Sequence, residues 1–469
     1  MTAETAIRLL EGLGTILLFL APGFGLAALL LGPRVRGALR LACAYLLGLA
    51  WVAGGLYALS HLFSVPIRRT NVLVLVLLPA LAGIAAAVRR RPPRTRVGRR
   101  SPLVSIAGVA AIFVSLGVLA EALTNPVTDW DGVMTWATQA RFVRAARSVD
   151  APVLRGGAYF LSNPRYPLLL PVAQVAALET WNADDDRLFR PLYAALFPVA
   201  LALVFAVAAP LAGRAAAACV VVAAGVLPVL ALDNGGAGGA YSDLPLACFG
   251  GAALVLLVRR RVSRGEALAA GLLLAGAVLA KTEGFALALA VLAGAAWVRR
   301  KAGARTLGLA ALLAFGAIAF YASWRAPISP RFDQSYASIL RDPGTWVRAP
   351  RKLASAVPTI LREMRAFSAW GWFFFGVPLV VLAGRKALRR RPVAPFLLAA
   401  AGPVGIALAA YAVHFDPPLL ARSTWTRFLI QASIPLAAVL AACAREAARR
   451  RPRVSPDPQS FFQTNERTG

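Results

Sequence analysis

Residues 393–413, VAPFLLAAAGPVGIALAAYAV, carry no charge over a stretch long enough to cross a bilayer as a helix. They are followed by His-Phe-Asp-Pro-Pro and then by a second apolar run. Reading outward from this stretch, the same alternation of apolar block and short polar link repeats along the chain, with Leu13–Leu31 a second long block. Measured against the roughly 20 residues that span a hydrocarbon core, about thirteen such blocks are present. The chain has 469 residues and is 59% hydrophobic, far more than a soluble core of that length can absorb. The expectation is an all-α polytopic membrane protein, because lipid offers no partner for open backbone groups. The cysteines Cys43, Cys219, Cys248 and Cys443 all lie inside apolar blocks. They read as small core residues, with neither disulfide nor metal spacing.

A net charge of +30 invites a nucleic-acid reading, which the placement of the charges argues against. The arginines cluster in short links on alternate sides of the blocks, the pattern of the positive-inside rule. With the N-terminus outside, the cytoplasmic links hold 30 of the 51 Lys and Arg and only 4 of the 21 acids. The expectation is an inner-membrane protein with a cytoplasmic C-terminus and a functional face on the extracytoplasmic side. The chain divides into N-terminal spans (1–122), an outer loop (123–190), central spans (191–324), a basic outer loop (325–369), C-terminal spans (370–444) and a cytoplasmic tail (445–469) that reads as disordered. Within the first outer loop, Tyr166–Trp181 reads as a juxtamembrane helix, since a full crossing would invert every later link. In the second, eight Lys and Arg between Arg325 and Arg365 suit an anionic lipid headgroup.

Five polar constellations interrupt the apolar pattern. TDWDGVMTWATQARFV, 128–143, places Asp129 and Asp131 at the end of a span, ahead of a helical stripe of Val133, Trp136, Ala137, Ala140 and Val143. One carboxylate can cap that helix; the other is left to accept a proton. GGAGGAYSDLPLA, 235–247, puts Asp243 at the head of another block, where it also fits a helix cap. AKTEG, 280–284, sets Lys281 and Glu283 where two short blocks meet. Ionisable residues at membrane depth are costly and tend to be functional, though a turn with a local ion pair fits as well. HFDPPLLARSTWTRFLIQ, 414–431, contains His414, Asp416, Arg422 and Arg427. Arg427 opens a span, where it can grip a phosphate or pair with Asp416. The basic outer loop is the fifth. No phosphate-binding glycine loop, dinucleotide fingerprint, HExxH or GxSxG motif occurs.

The order of these features resembles the C-type fold of polytopic glycosyltransferases, the group of protein mannosyltransferases and aminoarabinose transferases. The features are an acid after an early span, a Tyr-Pro helix, an Asp before Pro-Leu-Ala, a Lys-x-Glu-Gly, and an Arg opening a late span. The resemblance implies transfer of a sugar from a polyprenyl-phosphate donor in the bilayer to an extracytoplasmic acceptor. It matches Asp131 to the first-loop catalytic acid, with Asp129 the alternative. Asn163-Pro164-Arg165-Tyr166-Pro167 looks like the family's His/Tyr-Pro-Pro segment, which puts Arg165 and Tyr166 among the substrate contacts. Asp243, Lys281, Glu283, His414, Arg422 and Arg427 complete the expected set. Lys281, Arg427 and Arg422 would neutralise the leaving lipid phosphate. No cofactor is required; Mg²⁺ or Mn²⁺ could sit between Asp131 and Asp243. This chain departs from the family pattern at Gly132, where Asp-Glu is common, and in lacking a second proline after Pro167. It also places three spans ahead of the first loop, where many relatives have one. A transporter or lipid flippase using the Lys281/Glu283 pair is the competing expectation.

Overall fold

The computed structural model describes residues 3–89, 101–156, 163–232, 235–299, 303–328, 341–371 and 373–449. The basic stretch 90–100, residues 329–340 and the tail beyond 449 lie outside it. Among the described residues the chain is helical, with no strand. In chain order the helices are α1 (Ala3–Leu30), α2 (Gly37–Phe63), α3 (Arg69–Arg89), α4 (Pro102–Thr124), α5 (Thr138–Ala146), α6 (Pro152–Arg155), α7 (Leu169–Trp181), α8 (Arg190–Ala194), α9 (Leu196–Ala212) and α10 (Arg214–Gly225). They continue as α11 (Pro228–Ala231), α12 (Asp243–Leu257), α13 (Arg264–Ala280), α14 (Gly284–Arg299), α15 (Ala304–Arg325), α16 (Pro343–Met364), α17 (Phe367–Trp370), α18 (Phe373–Gly384), α19 (Ala394–Val413) and α20 (Pro417–Arg449).

Among the described residues eight segments are long and apolar enough to cross a membrane: α1, α2, α3, α4, the α8–α9 unit, α15, α19 and α20. The other five expected spans are helical but shorter. They are α10 and α18 with 12 residues each, α12 with 15, α14 with 16 and α13 with 17. A 15-residue helix covers about 22 Å, less than the roughly 30 Å hydrocarbon core. For α12 this is no conflict, because every one of its residues is buried. It packs against α9, α13, α14 and α20, so protein and not lipid surrounds it. The block expected as one span over Ala215–Leu232 is broken: Leu227, before Pro228, is extended at φ −78°, ψ 115°. A residue preceding proline is disfavoured in the helical region.

The first outer loop also differs from the sequence reading. Leu169–Leu178 of α7 are all buried, so this segment is an interior helix packed on α2, α3 and α5, not one lying on the bilayer surface. In the second outer loop, α16 runs through Pro350 and Pro358 and packs on α19 and α20. Its stripe of Leu353, Ala356, Ile360 and Met364 joins Tyr411, Trp425 and Phe428 in a separate apolar cluster. At the other end of the chain α20 continues to Arg449, so the start of the expected tail is helical.

Basic side chains close several helix ends. Arg40 donates to Ala27 O at the end of α1, Arg445 to Leu211 O at the end of α9, and Arg299 to Leu257 O and Arg259 O at the end of α12. Lys352 donates to Val413 O and His414 O at the end of α19, and buried Arg190 to Asn125 O beyond α4. The last carbonyls of a helix have no partner within it, and in lipid each bare one costs several kcal/mol. Part of the positive charge is therefore structural.

Candidate functional site

The site begins where α4 ends. The chain turns at Asn125 and re-enters a helix at Trp130, which widens into a π-helix over Gly132–Ala137 before α5. Such π-turns recur at functional sites. Glycine is required at position 132, because a Cβ there would collide with Gly239 O of the 235–242 loop and with Val127. The two loops therefore meet backbone to backbone. Across this contact Asp131 N–H donates to Tyr241 Oη at 3.1 Å. Asp131 makes no side-chain cap bond, so the capping role is not the one its carboxylate plays. Asp129 gives its backbone oxygen to Val133 N–H and turns its carboxylate toward Gly239.

Asp243 opens α12, where the positive end of the helix dipole favours an anion. It is fully buried, and both its oxygens are used. Oδ1 accepts from Lys281 Nζ at 2.7 Å and from Gln431 Nε2 at 2.6 Å; Oδ2 accepts from Arg427 Nε at 2.9 Å. Lys281 follows the last residue of α13, where a cation is favoured, and its ammonium also lies 3.2 Å from Glu283. Arg427 reaches outward with its other edge: Nη1 donates to Asp131 Oδ2 at 2.6 Å, joining residues 296 apart in sequence. Its guanidinium lies over the Tyr241 ring, 4.8 Å from the centroid, a cation–π distance. Burial and then the Asp131 carboxylate push the Tyr241 phenol up, so it stays a neutral hydroxyl.

Side-chain exposure rises along this chain of contacts, from 0% at Asp243 and 4% at Lys281 to 15% at Arg427 and 27% at Asp131. The arrangement is a buried ion cluster whose outer edge is one carboxylate. Beside it the Asn163–Pro167 segment is clamped in place. Gln139 donates to Asn163 O at 2.8 Å, Asn163 to Thr135 Oγ1 at 3.3 Å, and Tyr166 stacks on Trp136 at 5.7 Å. Tyr166 is also close enough to Arg427 to interact with it electrostatically. Arg165 is held through its carbonyl by Tyr321 Oη at 2.6 Å.

Of the residues singled out from sequence, Asp131, Asp243, Lys281, Glu283 and Arg427 form one network, with Asp129 and Tyr166 at its edge. His414 and Arg422 are not part of it. His414 ends α19, and its Nδ1 takes the Asp416 N–H at 3.0 Å, which makes it a turn residue. Arg422 is exposed and lies five residues before Arg427 on α20, about 140° round the helix. Arg427 does not pair with Asp416, whose carboxylate caps Leu419 N–H instead. Two members were not anticipated, Tyr241 and Gln431. Gln431 carried a signal in sequence: it stands four residues after Arg427, on the same helix face, an amide within an apolar run; the structure buries it at 1% exposure.

A metal between Asp131 and Asp243 does not fit this geometry. Three donors, two of them cations, already occupy the Asp243 oxygens. Among the described residues no group of three or more His, Cys, Asp and Glu could hold an ion. Comparison with known protein families, with curated proteins and with solved structures finds no match.

Proposed function

We propose that the chain is a membrane glycosyltransferase that moves a sugar from a polyprenyl-phosphate donor to an acceptor hydroxyl on the extracytoplasmic side. The observation that carries this reading is Asp131: a partly exposed carboxylate at the lip of a helical bundle, held by a guanidinium that is itself locked from behind. Acid and cation stand side by side, as displacement at a sugar carbon requires. Asp131 takes the proton from the attacking hydroxyl. The bond from the sugar to the phosphate oxygen breaks, and the phosphate leaves with added negative charge that a preorganised cation stabilises.

The contacts also redistribute the expected roles. Lys281 is committed to Asp243 and Glu283, so it orients Asp243 and does not reach the donor. Arg422 has no part. Arg427 remains as the phosphate ligand, and its bond to Asp131 suggests how donor binding starts the reaction. A lipid phosphate competes for the guanidinium, and the released carboxylate is then free to act as base. A flippase using Lys281 and Glu283 draws less support, since Lys281 is anchored at one end of the bundle by a third group.

The test is transfer from synthetic polyprenyl-phosphate sugars in proteoliposomes. Asp131→Asn should reduce turnover by about a hundredfold or more, the usual worth of a general base, while the melting temperature stays near that of the unmodified chain. Asp129→Asn should cost less. Full turnover by a folded Asp131→Asn variant would remove the carboxylate from the chemistry.

A further inference from the structure

At the same end of the bundle as Asp131, a second group of polar residues is unconnected to the ion network. His61, in the last turn of α2, directs Nδ1 at both oxygens of Asp150, at 3.2 and 3.1 Å. Its Nε2 lies 3.3 Å from Ser323 Oγ on the last turns of α15. The imidazole and carboxylate are largely buried, with 15% and 24% side-chain exposure, whereas Ser323 is exposed. The order hydroxyl, imidazole, carboxylate is that of a nucleophile, its base and the group that orients the base. Asp150 Oδ1 also accepts from Arg155 Nη2 at 2.9 Å, and the junction has further contacts of its own. Trp324 Nε1 donates to Val149 O, Ser60 Oγ accepts from Val149 N–H, and Ile67 N–H donates to Arg147 O. Tyr57 packs edge-on against both Phe320 and Trp324 beneath them. His61 itself is set edge-on against Phe320.

We propose that Ser323, His61 and Asp150 form a second reactive site, one that takes acyl groups from carboxylic esters of amphiphilic lipids. The substrate class follows from the surroundings. The site lies at the ends of two membrane-length helices, next to exposed Leu62 and Phe63, at 56% and 70%. At rest the Ser323 hydroxyl donates to Phe320 O at 2.7 Å, and rotation about its C–O bond turns the proton toward His61. In the reaction Oγ bonds to the ester carbonyl carbon while its proton passes to Nε2. The ester C–O bond then breaks, and the same proton leaves with the alkoxide as the free alcohol. Water repeats the sequence on the acyl-serine, releasing the acid and restoring the hydroxyl. Asp150 holds the Nδ1–H tautomer throughout.

A fluorophosphonate probe tests this without knowledge of the natural ester. The purified full chain in lipid nanodiscs is treated with the probe, and the site of the adduct is read by peptide mass spectrometry. The expected adduct is on Ser323, absent in Ser323→Ala and formed about a hundredfold more slowly in His61→Gln and in Asp150→Asn. Two variants are used so that loss of fold in one leaves the other to report, and each is read only with a cooperative melt. An unlabelled Ser323 in folded protein overturns the proposal. So does labelling at an unchanged rate in the variants, which would make Ser323 merely an exposed hydroxyl.

Discussion

Asp243 is a charge with no exposed surface, held by two cations and an amide. Removing one partner of such a pair leaves an uncompensated buried charge, worth about 3–5 kcal/mol, whereas removing both can be nearly neutral. Lys281→Met and Asp243→Leu should therefore each lower the melting temperature sharply. The double variant should be more stable than the sum of the two losses predicts, and strictly additive losses in a double-mutant cycle would show that the two do not act as a pair. At this scale the sequence marks out ionisable residues that the fold brings together, and is poor at saying whom each touches. Asp131, Asp243, Lys281 and Arg427 stood out because each is ionisable at the end of an apolar run. Their mutual contacts cross up to 296 positions, a distance no local pattern encodes. Gln431 escaped because an uncharged amide barely disturbs an apolar run. His414 and Arg422 are near Arg427 only in sequence: His414 caps the preceding helix, and Arg422 lies on another side of α20.

At the scale of helices, close packing and end-capping set the geometry. α1 meets α2 at Gly23 and Gly48, where a Cβ at position 48 would overlap the Phe19 carbonyl and one at 23 that of Ala44. Small residues at such crossings let backbones approach without the hydrophobic drive that water supplies. Gly48→Ala should cost about 1–3 kcal/mol, the range for overpacking. Gly117→Ala on α4, with nothing within 4 Å of the added carbon, should be neutral or slightly stabilising in the same detergent melt. Equal effects of the two would mean that α1 and α2 are not in this register. The N-terminal part of α1 is further tied down by Arg8, which donates to Asp185 at 3.2 Å, while Asp185 also binds the Arg187 side chain and backbone. Desolvation alone would raise the Asp185 pKa, but its bonds to Arg187 and Arg8 outweigh it and the net shift is downward. A depressed folded-state pKa contributes stability above the ordinary carboxylate range and loses it as pH falls through the folded value. Asp185→Asn should thus lower the melting temperature at neutral pH, with the gap to the unmodified chain closing in strong acid. A gap independent of pH would assign the loss to packing. The apolar blocks made the helices legible in outline. α16 was not, because Pro350, Pro358 and its dense charge hide a stripe that only packing on α19 and α20 makes visible.

Across the whole molecule the two ends differ in chemistry. α12 runs from Asp243 toward the Arg259 turn, α13 from Arg264 to Ala280 with Lys281 just beyond, α14 from Gly284 to Arg299, and α20 from Pro417 past Arg427 and Arg445 to Arg449. The ion cluster and its aromatic neighbours thus share one end, and the arginine turns occupy the other. That division was the part of the fold most open to a sequence reading, since charge counting needs no knowledge of packing. The number of crossings was less open, because a helix sheathed in protein, as α12 is, need not match the bilayer thickness that the count assumes. If the arginine end is cytoplasmic, as the charge balance between the two sets of links favours, Asp131 faces outward and the donor must present its phosphate in the outer leaflet. Cysteines introduced singly test this in intact spheroplasts with an impermeant maleimide. Thr128→Cys, in the loop before Asp129, should label from outside, and Arg260→Cys, in the α12–α13 turn, only after lysis. The native Cys219, exposed on α10, is first replaced by alanine to clear the background. The opposite labelling would invert the molecule, place Asp131 in the cytoplasm and remove the outer-leaflet donor on which the proposed sugar transfer depends.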